Sequence, residues 1–374
     1  MTTAIAVTGQ ILIHDALDLS NPALAPLVKF LRADVTFANL EATITTSGSW
    51  PTKTKTLHLA EAGALASIKA LGFNALAHAN NHAFDLGPPG IEATHAAASM
   101  HGIGVTGSGK NIEEALTPAI IDASERQVAL FSVDLGPQPD IVYASADRAG
   151  LAGLRMHRTV GVPRSEFETL RHIITQLGDE RRESARAAVG YRPRRDDGVE
   201  VFGTHVVMAD TISSNWQPDE GDLKALRTAM QHQKSQGRLI GIALHNHHWD
   251  ANWTTTPDWM INLGRQLIDA GACFILGTGA PVMQPVVMHH GFPIVAGLGN
   301  FVFHTRRPQT YNEQAVDVWR SAALRLTFDG HGACSNIEVM PIAVSRRSDT
   351  GALHPAPLPL LQQASDIINR LALP

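Results

Sequence analysis

The chain contains little of several residue types, and each scarcity excludes a class of protein. It has only two cysteines, Cys273 and Cys334, among 374 residues, which excludes a disulfide framework and metal motifs of the CxxC type. The formal net charge is −5, so the overall charge does not favour nucleic-acid binding. No window approaches the run of about 20 apolar residues that a spanning helix needs. We therefore expect no nucleic-acid partner and no membrane span.

The amino terminus also lacks the features of a targeting segment. The stretch MTTAIAVTGQILIHDAL has no basic region, and Gly9, Gln10 and His14 interrupt its apolar residues. We expect no secretory signal, and two cysteines fit a reducing compartment, so the sequence predicts a cytoplasmic protein. The composition is that of a globular chain except for its 18 histidines, which matter if several of them converge.

Short apolar strands alternate with helical segments along the chain. Four of these strands are AIAVT (4–8), VTFANLE (35–41), FNALAHA (73–79) and LIGIAL (239–244). Strands that are apolar on both faces predict a parallel sheet covered by helices, and therefore an α/β fold. Functional residues of such sheets lie beyond the carboxyl ends of the strands, and here those ends are polar.

The sequence predicts one main domain over residues 1–345 with an arginine-rich insertion at about 145–200. Residues 346–374 read as a C-terminal helical tail. The arginines of the insertion are mixed with acids, which is typical of a solvated surface, although an anionic partner would also suit them.

Two strand ends carry carboxylate, amide and imidazole groups that could form a site. Glu41, at the end of FANLE, could be a metal ligand or a general base, or simply a capping or surface acid. In NNHAFD, Asn81 offers an oxygen ligand, and His82 could donate a proton while Asp85 orients its ring. The alternative is a turn in which Asn and Asp side chains bond the backbone.

The segment HNHHWD, residues 245–250, brings three imidazoles to the end of another apolar strand. In an extended chain, His245 and His247 point to one face and His248 to the other. The first two could bind one ion, or act as ligand and base, whereas we expect His248 to pack. Polar residues at the same strand ends are candidates for contacts to substrate, namely Gln10, Asn80 and Thr278.

A set of segments in this order resembles the CapA family, which is named for capsule and poly-gamma-glutamate synthesis and has a calcineurin-like metallophosphoesterase fold. The resemblance runs from about residue 4 to residue 303 and is carried by GQILIHD, FANLE, ANNHAFDLG, GSGKNIEEA, ALHNHHW, LIDAGACFILG and GLGNFVF. It implies a layered αββα sandwich. It also implies that Glu41, Asn81 and His245 are metal ligands, that His82 is the proton donor, and that His247 is a further candidate.

Two segments depart from the family pattern. The family's opening Gly-Asp is Gly9-Gln10 here, and its late Gly-His-x-Pro-His turn is GTGAP, residues 277–281. These departures are typical of a divergent branch with reduced metal ligands. Binuclear hydrolysis needs two clamped ions, so the remaining residues predict one divalent ion, such as Ca²⁺, Mn²⁺ or Zn²⁺, or none.

Three functions follow from these residues. The first is a metal-assisted hydrolase that cleaves an amide or phosphoester bond of a peptide-like or anionic substrate, with His82 as general acid. The second is a peptide epimerase that moves a Cα proton by means of the pair His82–Asp85 and a histidine from 245 to 247, similar to the calcineurin-like enzymes that epimerise a lasso-peptide residue. The third is a non-catalytic protein of polymer assembly.

Overall fold

The structure is a computed structural model, and it describes residues 2–54, 56–124, 126–138, 140–191, 197–347, 354–360 and 364–373. Parts of the predicted insertion (192–196) and of the predicted tail (348–353, 361–363 and 374) lie outside the described residues. The described chain contains both helices and strands in several sheets, which confirms a mixed α/β fold.

Strands are the commoner element, and many of them are short. In chain order they are β1 (Thr3–Thr8), β2 (Gln10–Leu12), β3 (Leu17–Asp18), β4 (Val35–Asn39), β5 (Thr43–Ile44), β6 (Leu59–Ala60), β7 (Ala75–Ala77), β8 (Gly104–Thr106), β9 (Ser108–Gly109), β10 (Ala119–Asp122), β11 (Gln127–Asp134), β12 (Gly150–Leu151), β13 (Met156–Val162), β14 (Val199–Val201), β15 (Thr204–Met208), β16 (Ser213–Pro218), β17 (Leu239–His245), β18 (Phe274–Thr278), β19 (Met283–His289), β20 (Phe292–Leu298), β21 (Asn300–Phe303), β22 (Arg320–Phe328), β23 (Cys334–Ala343), β24 (Ser345–Arg346), β25 (His354–Pro355) and β26 (Leu358–Pro359).

The helices are distributed along the whole chain. Besides a 3-10 helix at Pro22–Leu24, they are α1 (Ala25–Leu31), α2 (Gly63–Ala70), α3 (Gly87–Met100), α4 (Ile112–Ala115), α5 (Arg164–Gln176), α6 (Asp179–Ala188), α7 (Glu220–Ser235), α8 (Asp258–Asp269), α9 (Pro308–Glu313) and α10 (Ala364–Leu371). In the described residues, no helix is long and apolar enough to cross a membrane.

The chain divides into two compact units, and the larger one comprises residues 1–155 and 221–374. Its first sheet has the order β26-β23-β22-β1-β4-β7-β8, and its second has the order β10-β11-β17-β18-β20-β19. In the first sheet β1, β4, β7 and β8 run parallel. In the second sheet β11, β17, β18 and β20 do so. The carboxyl ends of each parallel set therefore meet at one edge of its sheet.

One apolar cluster is shared by the two sheets of the larger unit. Val7 and Phe37 of the first sheet and Leu130, Ala243 and Phe274 of the second all belong to it and are almost fully buried. Because side chains alternate along a strand, the neighbouring residues of each strand point to the opposite face. The shared cluster ends at the carboxyl ends of the parallel strands. Polar residues on the same face lie directly beyond it.

The other face of each sheet is covered by helices. Ala6 and Leu76 of the first sheet share a second buried cluster with Leu31 of α1 and Ile68 of α2. On the second sheet, α8 packs against β20, and a Cβ at Gly264 would lie about 3.0 Å from the side chain of Ile294. The predicted alternation of strand and helix therefore has its physical basis in two-sided burial of the sheets.

The smaller compact unit comprises residues 156–220. Its sheet has the order β14-β15-β13-β16, and α5 and α6 belong to the same unit. Its own apolar cluster contains Val162, Phe167 and Ile174. This unit begins and ends later in the chain than the insertion at about 145–200, and the division into domain, insertion and tail stays a prediction.

Candidate metal centre

His245 and Thr278 end adjacent parallel strands of the second sheet and pair in register. The Nδ1 atom of His245 lies 3.0 Å from the hydroxyl of Thr278. This contact fixes the imidazole ring and directs the other nitrogen, Nε2, to Asn81, in the loop after β7. A side chain of the second sheet therefore meets a loop of the first sheet at the carboxyl ends of both.

Three donor atoms lie close together at this meeting point. The Nε2 atom of His245 is 2.9 Å from Oδ1 of Asn81 and 3.0 Å from Nε2 of His247. The Nε2 atom of His247 is 3.1 Å from the same Asn81 oxygen. Burial lowers the pKa of His245 well below 6.5, and the nearby imidazoles of His247 and His82 add to this shift. His245 is therefore a neutral imidazole that presents a lone pair.

Glu41 contributes a carboxylate to the same group. One carboxylate oxygen and the ring nitrogens of His245 and His247 all lie within 4.8 Å of one another. Oε2 of Glu41 is buried and has no hydrogen-bond partner in the described chain. Burial raises the pKa of Glu41 from 4.5 to about 8 against the opposing charge of Lys53. An uncompensated carboxylate of this kind is stabilised by a bound cation.

The donor set fits one divalent ion. Two donors at right angles that are each about 2.1 Å from one ion lie about 3 Å apart, and the three distances among Asn81, His245 and His247 are 2.9, 3.0 and 3.1 Å. Two imidazoles, an amide oxygen and a carboxylate are ligands of Mn²⁺ and Zn²⁺, whereas Ca²⁺ prefers oxygen ligands alone. These four residues could therefore hold one ion.

His82 and Asp85 form an imidazole–carboxylate pair beside the donor set. Nδ1 of His82 is 2.8 Å from Oδ2 of Asp85, and Nζ of Lys53 is 2.5 Å from the other oxygen. Oδ2 also accepts a hydrogen bond of 2.8 Å from the backbone N–H of His58. The lysine and carboxylate side chains are fully buried, so Lys53 compensates the charge that Asp85 carries. Lys53 also donates to the backbone oxygen of Asn81.

The three residues proposed for substrate contacts are used in hydrogen bonds within the protein. Asn80 donates to the backbone oxygen of Leu40 over 2.7 Å, and its Oδ1 accepts from the N–H of His82 over 3.0 Å. Thr278 contacts His245, as described above. Asn80 therefore orients the loop that carries Asn81 and His82, and a role for these residues toward substrate stays a prediction.

Gln10 joins the two segments that depart from the family pattern. Its Oε1 accepts a hydrogen bond of 2.9 Å from the backbone N–H of Gly279, and its Nε2 donates to Oδ1 of Asn300 over 3.0 Å. Gly279 has φ +102, and a Cβ there would lie 2.3 Å from the backbone oxygen of Asn246, so only glycine fits. The glutamine and the GTGAP turn are thus one hydrogen-bonded structure.

Two residues of the site were missed in the sequence. Lys53 follows no apolar strand, and no local pattern marks it as buried. Asp134 ends β11 and pairs in register with His245. Burial raises its pKa from 3.8 to about 7, although hydrogen bonds from Tyr143 and Gly136 oppose this. Asp134 is the last residue of QVALFSVD, as Glu41 is the last residue of FANLE. The pattern that identified Glu41 in the sequence could therefore have identified Asp134 as well.

A group of buried imidazoles adjoins His82. The ring centroids of His58 and His82 are 4.2 Å apart, and Nδ1 of His58 is 3.0 Å from Nε2 of His14. The rings of His304 and His354 lie next, with centroids 4.7 Å apart. Burial lowers the pKa of His14 to about 4 and of His304 to about 3. His14 and His304 are therefore uncharged near neutral pH.

Two other groups of three residues in the described chain could be considered as ion sites. In the first, Asp15, His304 and His354 come together. However, Nδ1 of His304 accepts the backbone N–H of His14 at 3.2 Å, so a neutral ring carries its proton on Nε2 and has no lone pair there. The second group, Asp269 with His289 and His290, lies in the partly exposed region around a turn. The group with Glu41 therefore fits an ion best.

Comparison with known proteins assigns the family. Residues 4–305 match the sequence model described as bacterial capsule synthesis protein PGA_cap. The chain belongs to this family, as its motifs indicated. Two proteins of Sinorhizobium fredii (strain NBRC 101917 / NGR234), described as uncharacterized protein y4sH and uncharacterized protein y4uA, are similar to it. Each is 28% identical over 82% of this chain and 67% of its own length.

Proposed function

We propose that the protein is a metal-assisted hydrolase that uses one divalent ion and His82 as general acid. The observation that carries this proposal is the set of three donor atoms 2.9 to 3.1 Å apart. Glu41 completes that set, and the pair His82–Asp85 lies beside it. A binding protein has no need for an imidazole whose ring is oriented by a buried carboxylate. The same geometry makes His247 a ligand in this proposal rather than a base.

The ion and His82 have separate tasks. Held by Glu41, Asn81, His245 and His247, a divalent ion would supply Lewis-acid chemistry toward a carbonyl or phosphoryl oxygen. His82 donates Nδ1–H to Asp85, so Nε2 is the ring nitrogen that exchanges a proton with a leaving group. The contact with Asp85 fixes the orientation of the His82 ring and keeps the proton on Nδ1.

The family supports the substrate class that we propose. Its description concerns capsule synthesis, which favours a polymer or an anionic substrate. We propose a peptide-like or anionic substrate with a scissile amide or phosphoester bond, and a calcineurin-like αββα arrangement of the two sheets and their covering helices. A cation at the donor set would bind an oxygen of the scissile group of such a substrate.

The test uses the full chain after treatment with chelator and reloading with MnCl₂ or ZnCl₂. The probes are bis(p-nitrophenyl) phosphate for phosphoester cleavage and γ-glutamyl-p-nitroanilide for amide cleavage. We expect cleavage of one probe only after reloading. His82→Ala should lower kcat by about 10²- to 10⁴-fold, the usual contribution of a general acid, with unchanged metal content. The exposed His331 offers a matched control, and His331→Ala should keep the wild-type rate.

Two results would contradict the proposal. The first is a metal-loaded protein that cleaves neither probe, and the second is a His82→Ala variant with the wild-type rate. Peptides incubated in deuterated water provide a further readout, because exchange at a Cα without cleavage would indicate epimerisation instead. Metal analysis on the same samples tells whether one ion, two ions or none is retained.

A further inference from the structure

Strand register places Asp134 on the face of the second sheet that carries His245. Val128 and Leu130 belong to the cluster shared by the two sheets, and the alternation of side chains brings Asp134 to the same face. Ala243 and His245 follow the same alternation on the next strand. Asp134 and His245 are register partners in parallel strands, so their side chains are lateral neighbours at the end of the core.

Only one oxygen of the Asp134 carboxylate has a partner. Oδ1 accepts hydrogen bonds of 2.9 Å from the hydroxyl of Tyr143 and 2.8 Å from the backbone N–H of Gly136. Oδ2 is buried without a hydrogen-bond partner among the described residues, and the whole residue is 0% exposed. A buried carboxyl oxygen of this kind is protonated unless a cation or a donor from outside the protein satisfies it.

The buried charges of the site are unbalanced. The ammonium group of Lys53 lies against Asp85 at 2.5 Å, whereas Glu41 and Asp134 each have an oxygen without a hydrogen-bond partner in the part of the chain that the structure describes. The charge of Asp134 contributes to the raised pKa of Glu41. Glu41 follows a strand of the first sheet and Asp134 ends a strand of the second, so the two acids belong to opposite sheets.

We infer that Asp134 is a charged neighbour of the cation site, outside its donor set, and that with Glu41 it supplies the negative charge that balances one divalent ion. This inference rests on the cation site of the proposed function. Asp134 then raises the affinity for the ion. Lys53 and Asp85 carry opposite charges, so this pair adds no net charge to the site. Two carboxylates and one divalent ion leave no net charge in the buried site.

The experiment is calorimetric titration of the chelator-treated full chain with MnCl₂. Asp134→Asn removes the charge but keeps an oxygen that can accept from Gly136, and we expect at least tenfold weaker binding. Glu41→Gln should weaken binding as well. Asp122 is exposed and lies on β10, next to the start of β11 at the far end of the sheet. Asp122→Asn makes the same charge change and should bind as the wild type does.

The outcomes separate this inference from the proposed function. If Asp134→Asn binds Mn²⁺ like the wild type while Glu41→Gln is weakened, the role of Asp134 is refuted and the cation site stands. Equal weakening in Asp122→Asn would also refute it, because the effect would then be non-local. If the wild type binds neither Mn²⁺ nor Zn²⁺, both proposals fail. Should Asp134→Asn not fold, Asp134→Ser replaces it, since a serine hydroxyl can also accept from Gly136.

Discussion

Replacing the buried cation Lys53 by methionine should destabilise the protein strongly. Its ammonium group lies 2.5 Å from the carboxylate of Asp85, and both side chains are fully buried. Methionine keeps most of the side-chain volume but leaves the carboxylate with the imidazole of His82 and one backbone N–H. Removing one partner of a buried pair costs about 3–5 kcal/mol. An unfolding entropy of about 2.1 cal/mol/K per residue, applied to 374 residues, converts this to a fall in Tm of about 4–6 °C.

Thermal unfolding followed by circular dichroism, with chelator present, measures this effect. The double variant Lys53→Met/Asp85→Asn should melt above Lys53→Met alone, because it leaves no uncompensated carboxylate. Lys69 is exposed, and its ammonium group donates to the backbone oxygen of Gly102, so Lys69→Met should change the free energy of unfolding by less than about 0.5 kcal/mol. The reasoning is refuted if Lys53→Met melts with the wild type, or if the double variant melts below the single one.

Four further predictions concern the cation site and its surroundings. The proton that Glu41 binds below its raised pKa of about 8 must leave when an ion binds, so Mn²⁺ affinity measured by calorimetry should rise up to about tenfold per pH unit from pH 6 to 8. Glu41→Gln should reduce that slope, and the remainder should reflect the proton of Asp134. In chelator, the Glu41 carboxyl makes the folded protein bind more protons than the unfolded chain between about pH 4.5 and 8. Its contribution to the free energy of unfolding therefore falls as pH rises through this window. A rise over the same window would contradict the raised pKa of Glu41. Thr278→Val removes the hydroxyl that orients His245 and should weaken Mn²⁺ binding about tenfold or more, whereas unchanged affinity would mean that this contact does not position the ring. Gly279→Ala should lower the free energy of unfolding by about 1–3 kcal/mol, because its Cβ would meet the backbone oxygen of Asn246 at 2.3 Å; an unchanged denaturant midpoint would refute this.

Much of the fold followed from the alternation of apolar strands and helices. The segment LIGIAL is apolar throughout, and both faces of β17 are buried. A continuous apolar run of this kind allows burial on both faces to be predicted from the sequence alone. The carboxyl-end rule then placed Glu41, Asn81, His82 and His245 in one region, as the structure also has them. Whether each has its proposed role stays a prediction.

The rest of the site depended on long-range contacts that no local pattern expresses. Lys53 belongs to the irregular stretch after β5, and its burial results from Asp85 and the backbone of Asn81, which lie about 30 residues further along the chain. The start and end of the smaller unit at residues 156 and 220 likewise depend on which strands pair. A high arginine content indicates a polar surface, but it does not indicate which strands pair with one another.

The hydrogen bonds of Gln10 have a consequence for the engineering of this protein. The side-chain amide of Gln10 donates to Asn300 at one end and accepts from the backbone N–H of Gly279 at the other. An aspartate in its place has no N–H to donate to Asn300, so Gln10→Asp alone would lose that hydrogen bond. The three positions should therefore be exchanged as a set when activities are transplanted between relatives, and they should co-vary wherever the glutamine occurs.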